Sequence, residues 1–282
     1  MKFITRISVC MTVLPFAVGF SHAQPVDTNS SSEHLALTQQ ERDEVRSSLD
    51  RVTAEVFADA IAKDYESKNL NISPFLETIV LDESESVSTR TQAIFLLGQL
   101  EENSSTDVFI DIIDSRLKQE MMKDDIELIR CSMIALGWQG DKRALELLFK
   151  LASKEFWAQV TPDGIACADC DTIQEGNVIT YLRKQALSAL AGSGTDEAIK
   201  AFATGEGLPA DLSRSFPHRL DIAVYRKCDI IAIPDKLSKL DQDERSQYWD
   251  TWSWIQKEFG SREEIYQRFR NESGQAPSEP EG

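Results

Sequence analysis

Histidine is scarce in this chain of 282 residues, which contains only three. His22 and His34 lie near the N-terminus, and His218 stands alone beside Pro217. The sequence therefore has no His-x-x-x-His pair for zinc. It also lacks a Gly-x-Ser-x-Gly nucleophile elbow and a glycine loop that would hold phosphate. We predict no catalytic residues, no metal site and no cofactor.

Basic residues are also few, with 30 lysines and arginines against 47 aspartates and glutamates, a formal net charge of −17. Nucleic acids and anionic membranes bind basic surfaces, so the charge argues against both as the main partner. We expect a charge-matched partner, if the chain has one, to be a protein with a basic surface.

Long apolar runs are missing except at the N-terminus. Two basic residues precede an apolar run over residues 7–20, and the small residues Ser21 and Ala23 follow it. This pattern predicts a secretory signal peptide at residues 1–23. A retained anchor is the alternative, but the run is shorter than the roughly 18 to 20 residues of a spanning helix. We therefore expect an exported protein, periplasmic or extracellular, with no membrane insertion after cleavage.

Helical order begins after a polar leader at residues 24–37, which we predict to be flexible. Thr38 and Glu41 have the spacing of a capping box, and apolar residues from Val45 to Ala60 continue at helical intervals. These signals predict one long first helix. Ser73 and Pro74 form the next helix start.

A repeated pattern follows, in which one helical block occurs three times, at residues 90–98, 132–137 and 183–192. Each block precedes a polar turn and a second amphipathic helix, over residues 107–118, 141–153 and 195–203. We expect Gly98 and Gly137 to end the first helices, where a left-handed residue is needed. The spacing is 39 residues from Gly98 to Gly137 and 54 from Gly137 to Ala191, which indicates a 15-residue insertion within residues 161–177.

This pattern resembles the HEAT repeat, most closely the HEAT-like repeats first named from phycobilisome lyases, whose first helix reads Val-Arg-x-x-Ala-x-x-Ala-Leu-Gly. The blocks beginning at Arg90 and Arg183 keep this spacing, whereas Arg130 of the middle block is one place out of register. The resemblance implies an all-α fold, a right-handed α-solenoid of helical hairpins over residues 38–205. It also implies a protein-binding scaffold. The lyases act on cytoplasmic light-harvesting proteins, so an exported chain is not expected to share their activity.

The C-terminal residues match the repeat less clearly but remain helical in pattern. Pro217 opens one helix, Asp241 or Asp243 opens another that ends at Gly260, and Ser261 with Glu264 forms a capping box for the last helix. We predict a helical cap over residues 206–272, which closes the array. A disordered acidic tail follows over residues 273–282.

The cysteines are the most specific local feature. Cys167 and Cys170 lie within the insertion, and Cys131 and Cys228 lie in predicted helices. Four cysteines in an exported chain favour disulfides, with three pairings open. We prefer Cys167 with Cys170 and Cys131 with Cys228. Thiol redox chemistry at Cys167 and Cys170 is an alternative, as is a structural zinc site built from all four.

Tryptophans are the other candidates. At 100° per residue, one face of the helix after Asp241 carries Tyr248, Trp252, Ile255 and Phe259. Trp249 lies at the edge of that face, and Trp254 lies about 120° from its centre. Trp254 either packs against a second neighbour or binds a partner, because tryptophan is enriched in interface hot spots. Trp138 and Trp157 are further partner-binding candidates.

Taken together, these features predict an exported HEAT-like protein that acts as a protein-binding scaffold or as an accessory subunit in the cell envelope. A thiol-dependent redox protein or enzyme that uses Cys167 and Cys170 is the alternative. A self-associating structural protein is a third hypothesis.

Overall fold

A computed structural model describes residues 37–53, 55–100, 105–117, 120–161, 165–167, 178–230 and 241–271. The predicted signal peptide at 1–23, almost all of the leader at 24–37 and the tail at 273–282 lie outside these residues and stay predictions. Most of the insertion at 161–177 also lies outside them, and so does Cys170.

Helices dominate the described residues, which confirms the predicted all-α class. The first seven helices are α1 Gln39–Leu49, α2 Glu55–Ser67, α3 Ser73–Leu81, α4 Val87–Gln99, α5 Thr106–Arg116, α6 Lys123–Gln139 and α7 Lys142–Ala152. The others are α8 Lys154–Val160, α9 Val178–Gly192, α10 Asp196–Thr204, α11 Phe216–Lys227, α12 Gln242–Phe259 and α13 Arg262–Asn271, with a 3₁₀ helix at Ala210–Ser215. Within the described ranges, none of these helices is long and apolar enough to cross a bilayer.

The first helix begins as predicted but is shorter than predicted. Thr38 caps α1, because its backbone N–H donates to Glu41 Oε2 at 2.7 Å and its hydroxyl accepts from the Glu41 N–H. The single long helix is wrong, since α1 ends at Leu49 and α2 begins at Glu55. In the turn between them Val52 enters the core, where it is 3% exposed. The Val52 N–H donates to the Leu49 carbonyl at 2.8 Å, three residues back instead of four, so the chain makes a turn where the continuous helix was predicted.

The helices pack in a regular order. Four of them contact one another in sequence, α4 against α6, α6 against α9, and α9 against α11. Each of these four helices also packs against a helix that comes earlier in the chain, in the pairs α3–α4, α5–α6, α7–α9 and α10–α11. Small residues such as Ala93, Ala135 and Ala186 are fully buried, so neighbouring helices approach closely.

The block glycines have a different role from the one predicted. Gly98 and Gly137 lie within helices and have no positive φ, and the left-handed residue that ends α6 is Gly140, at φ 61°. A Cβ placed on Gly137 would lie 2.3 Å from the carbonyl oxygen of Ala189. The block glycines are therefore required by close helix contact and not by helix termination.

The two block arginines hold equivalent positions. Arg90 on α4 and Arg183 on α9 are buried, at 6% and 3% exposure. The Nε–H of Arg90 donates to the Val80 carbonyl at 2.9 Å, near the end of α3. The Nε–H of Arg183 donates to the Ala152 carbonyl at 2.9 Å, at the end of α7. Each arginine thus stabilises the carboxyl end of a packed helix earlier in the chain, α3 for Arg90 and α7 for Arg183, where carbonyls have no helical partner.

A short strand pair joins the inserted segment to the repeats. Strand β1, Glu120–Met121, lies directly before α6, and strand β2, Ala166–Cys167, lies in the insertion. The two strands pair in parallel, with Met121 opposite Cys167. Backbone hydrogen bonds therefore hold Cys167 beside the start of α6.

Candidate functional site

An open groove of about 550 Å³ lies where α12 faces the start of α10 and the end of α11. We call it the α12 groove. Its lining residues are Asp196, Lys227, Asp243, Ser246, Gln247, Asp250, Thr251 and Trp254.

One stripe of α12 forms a wall of the groove. Asp243, Gln247, Asp250 and Trp254 follow one another at intervals of three or four residues, which places them on the same face of the helix. Asp241 fixes where this helix begins, because its side chain accepts the Glu244 N–H at 2.9 Å. Of the two predicted start residues, Asp241 is the N-cap, and Asp243 is free to line the groove.

Lys227 forms the opposite wall. Its Nζ lies 2.6 Å from Asp196 Oδ1 and 5.9 Å from the centroid of the Trp254 ring. Its backbone carbonyl accepts a hydrogen bond from Gln247 Nε2 at 3.0 Å. An ammonium group is thus held between a carboxylate and an indole face, which is a favourable environment for a cation.

The groove carries excess negative charge. Asp196 is paired with Lys227. Within the part of the chain that the structure describes, Asp243 and Asp250 have no ion pair, and both side chains are exposed. Two carboxylates therefore remain to attract cations from solution.

The two candidate tryptophans of α12 have different surroundings. Trp254 is half-buried and meets the Phe259 ring edge-on, with centroids 5.8 Å apart. It therefore packs against a residue of its own helix and lines the groove, and its role in partner binding stays a prediction. Trp249 is 55% exposed and contacts the Tyr248 ring. The separation of five positions places Trp249 about 140° away from Trp254 around the helix, outside the groove.

The other two tryptophans belong to the helix packing. Trp157 is 1% exposed, and its Nε1–H donates to the Leu151 carbonyl at 2.7 Å. Its predicted role in partner binding is wrong, because a buried and satisfied indole cannot reach a partner. Trp138 is half-buried and lies 5.5 Å from the Phe95 ring, centroid to centroid. Because its ring is partly exposed, its role in partner binding stays a prediction.

The second predicted disulfide is not formed. Cys131 and Cys228 are free, buried thiols on α6 and at the end of α11. Helix α9 packs against both α6 and α11 and so separates the two cysteines. Burial raises the pKa of Cys131 to about 12 and also raises the pKa of Cys228. Neither thiol is therefore a ready nucleophile, because the thiolate is the reactive form.

Cys167 differs from these two, because it is disulfide-bonded. Cys170 lies outside the described residues, so its pairing with Cys167 stays a prediction. The proposed four-cysteine zinc site is wrong, since Cys131 and Cys228 lie on separated helices. Among the described residues, no three histidine, cysteine or acidic side chains come together as metal ligands would.

A second groove, of about 630 Å³, lies between α1 and α2. Its charges are largely satisfied within the chain, because Lys68 Nζ pairs with Asp64 at 2.7 Å and lies over the Tyr65 ring. Asp43 and Glu44 accept hydrogen bonds from glutamines one turn earlier. The α12 groove is therefore the better candidate for a charged partner.

Sequence reasoning found Trp254 but missed the rest of the α12 groove. The intervals between Asp243, Gln247, Asp250 and Trp254 could have revealed one wall. Nothing in the sequence indicated that Lys227 meets Asp196, because these residues are 31 positions apart and on different helices. No protein-family model, curated protein or solved structure matches this chain.

Proposed function

We propose that this protein is an exported, HEAT-like repeat scaffold that binds a partner protein in the cell envelope. The observation that carries the proposal is a contact that occurs twice. Gly98 meets Ala135 where α4 packs on α6, and Gly137 meets Ala189 where α6 packs on α9.

The two contacts are equivalent in sequence. Ala135 lies two residues before Gly137, and Ala189 lies two residues before Ala191, the residue that matches Gly137 in the next block. Arg90 and Arg183 add a second recurring contact, each to the carboxyl end of a packed helix earlier in the chain, α3 and α7. Recurrence of the same contacts supports a stack of similar hairpins, α2–α3, α4–α5, α6–α7 and α9–α10. We propose that this stack is a right-handed solenoid closed by α11 to α13.

Partner binding is supported by what the stack leaves open. Such arrays have extended surfaces instead of a single enclosed site, and they typically bind other macromolecules. Here Trp249 is exposed and Trp254 is partly exposed, beside two carboxylates that have no ion pair among the described residues. Aromatic side chains supply most of the energy in many interfaces, and complementary charge increases the association rate. The net charge of −17 favours a basic partner surface.

The proposal is tested by cross-linking the tagged full chain in its native cells, followed by capture and mass spectrometry. An unrelated exported acidic protein with the same tag is the control. We expect one protein to cross-link reproducibly to this chain alone, to recover it in reciprocal capture and to bind it when both are purified. A chain that forms no such complex in repeated experiments contradicts the scaffold function.

Export is tested separately. The N-terminus of the mature chain, determined by mass spectrometry after cell fractionation, is expected at Gln24. An intact N-terminus in the cytoplasmic fraction contradicts export.

A further inference from the structure

Lys227 places its ammonium group in the α12 groove, at a position that suits a cation. Its ammonium group lies between Asp196 Oδ1, at 2.6 Å, and the face of Trp254, at 5.9 Å from the ring centroid. The side chain is 34% exposed, so this ion pair lies at the open surface of the groove. Exposed pairs of this kind contribute little to stability and exchange readily with other ions.

We infer that the α12 groove binds a lysine- or arginine-rich segment of a partner protein, and that Lys227 occupies one of its cation positions in the free protein. This inference rests on the proposed scaffold function and identifies its binding site. A guest cation would take the place of the Lys227 ammonium between Asp196 and Trp254. Further cations of the same segment would pair with Asp243 and Asp250.

The dimensions of the groove favour an extended peptide. The α12 stripe from Asp243 to Trp254 is about 16 Å long at 1.5 Å per residue. This length matches about five residues of extended chain. Asp243 and Asp250 are separated by about 10 Å along the helix, which corresponds to cations about three residues apart in an extended segment.

Substitution of Lys227 is expected to increase the affinity of the groove for a basic peptide. Most substitutions in a binding site weaken binding, but Lys227 competes with the guest for Asp196 and for the Trp254 face. Lys227→Gln removes this competitor and is expected to tighten binding of a basic peptide about fivefold. Lys142→Gln is the matched control, because Lys142 lies on α7 and its side chain is 90% exposed. It changes the net charge equally and is expected to alter affinity less than about twofold.

The experiment measures fluorescence anisotropy of a labelled peptide that has lysine at every third position and glycine or serine between. Trp254→Leu is expected to weaken binding to the full chain about fivefold without changing its charge, whereas Trp254→Phe keeps most of the affinity. Trp249→Leu, on the same helix but outside the groove, is the matched control and is expected to bind as wild type does.

Non-specific attraction to an acidic protein is tested by two charge-matched double variants. Asp243→Asn with Asp250→Asn is expected to weaken binding about tenfold. Asp111→Asn with Asp114→Asn removes two exposed charges from α5 and is expected to weaken it less than about twofold. Equal losses in the two variants would mean that only net charge matters, and the inference would be overturned.

Other outcomes also overturn the inference. They are unchanged affinity of Trp254→Leu, unchanged affinity of Lys227→Gln, or binding of spermidine as tight as that of the peptide. If Trp254→Leu melts at a lower temperature than wild type, Trp254→Phe and Lys227→Gln decide the result instead. A partner that cross-links to a folded Trp254→Leu chain as strongly as to wild type would leave the scaffold function standing and exclude the α12 groove.

Discussion

Gly137 on α6 packs directly against the backbone of Ala189 on α9, so closely that any side chain on Gly137 would overlap the Ala189 carbonyl group. Gly98 on α4 approaches Ala135 on α6 in the same manner. Three consecutive blocks are therefore joined by two equivalent contacts. The absence of a side chain, and not a special backbone angle, is what these positions require.

Gly137→Ala is expected to destabilise the protein by about 3 kcal/mol, because the new methyl group forces α6 and α9 apart. Urea unfolding followed by circular dichroism measures the change. Gly192→Ala is the control, since no atom of the described residues lies within 4 Å of a Cβ placed there. It should leave stability within about 1 kcal/mol of wild type. Equal losses for the two variants would contradict the contact.

Arg183→Met is expected to cost about 2 to 4 kcal/mol, because it leaves the Ala152 carbonyl and the Asp211 carboxylate without their buried donor. Arg130→Met is the matched control in the neighbouring block. Arg130 pairs within its own helix with Glu127 and is partly exposed, so its loss should cost less than about 1 kcal/mol. Urea unfolding measures the loss of stability in both variants. A larger loss in Arg130→Met than in Arg183→Met would contradict the prediction.

The pair of Arg183 with Asp211 also predicts that the stability of the protein depends on pH. Hydrogen bonds from Arg183 lower the pKa of Asp211 below its ordinary value. A lowered folded-state pKa contributes stability above the unfolded pKa of about 3.9, and this contribution is lost as pH falls through the folded value. Asp211→Asn should therefore be less stable than wild type at neutral pH and lose less stability between about pH 4 and pH 2. Because Asp211 is half-exposed, the difference should be below about 1 kcal/mol. The measurement is the free energy of unfolding of both proteins against pH. Parallel curves would show that Asp211 does not contribute to the pH dependence.

Thiol counting tests the cysteine assignments. Without reductant, the denatured mature chain should react with two equivalents of Ellman's reagent, from Cys131 and Cys228. The native chain should react very slowly at mildly alkaline pH, because burial raises the pKa of both thiols. Reduction should release two more thiols, from Cys167 and Cys170. If the unreduced, denatured chain does not react with the reagent, Cys131 and Cys228 are disulfide-bonded, which would contradict this assignment.

Asp221→Asn is expected to loosen α13. Both carboxylate oxygens of Asp221 accept from Arg262, at 2.8 and 2.9 Å, and one also accepts from the Tyr266 hydroxyl at 2.5 Å. Burial and the hydrogen bond to Asp221 raise the pKa of Tyr266. Hydrogen exchange of residues 262–271 should accelerate about tenfold in Asp221→Asn, while exchange in α6 stays unchanged. Tyr266→Phe keeps the Arg262 pair and should have a smaller effect. Unchanged exchange in α13 would contradict this role of Asp221.

Several features of the fold could be predicted from the sequence because they depend on neighbours along the chain. Thr38 caps its helix as the spacing to Glu41 indicated, and the helices capped by Asp141, Thr195 and Asp241 begin within one residue of a predicted start. The helical class follows from apolar residues at helical intervals. The repeated blocks were visible because Arg90 and Arg183 recur in the same local pattern. Caps and periodicity act over three or four residues, so the sequence by itself determined them.

The tertiary structure alone decided the remaining features. Only the packing of α6 on α9 shows that Gly137 is needed for contact, and only the position of α9 shows why Cys131 and Cys228 stay apart. The α12 groove joins Asp196, Lys227 and Trp254 from three helices. Such contacts depend on helix orientations set by the whole core, which no short segment of the sequence encodes.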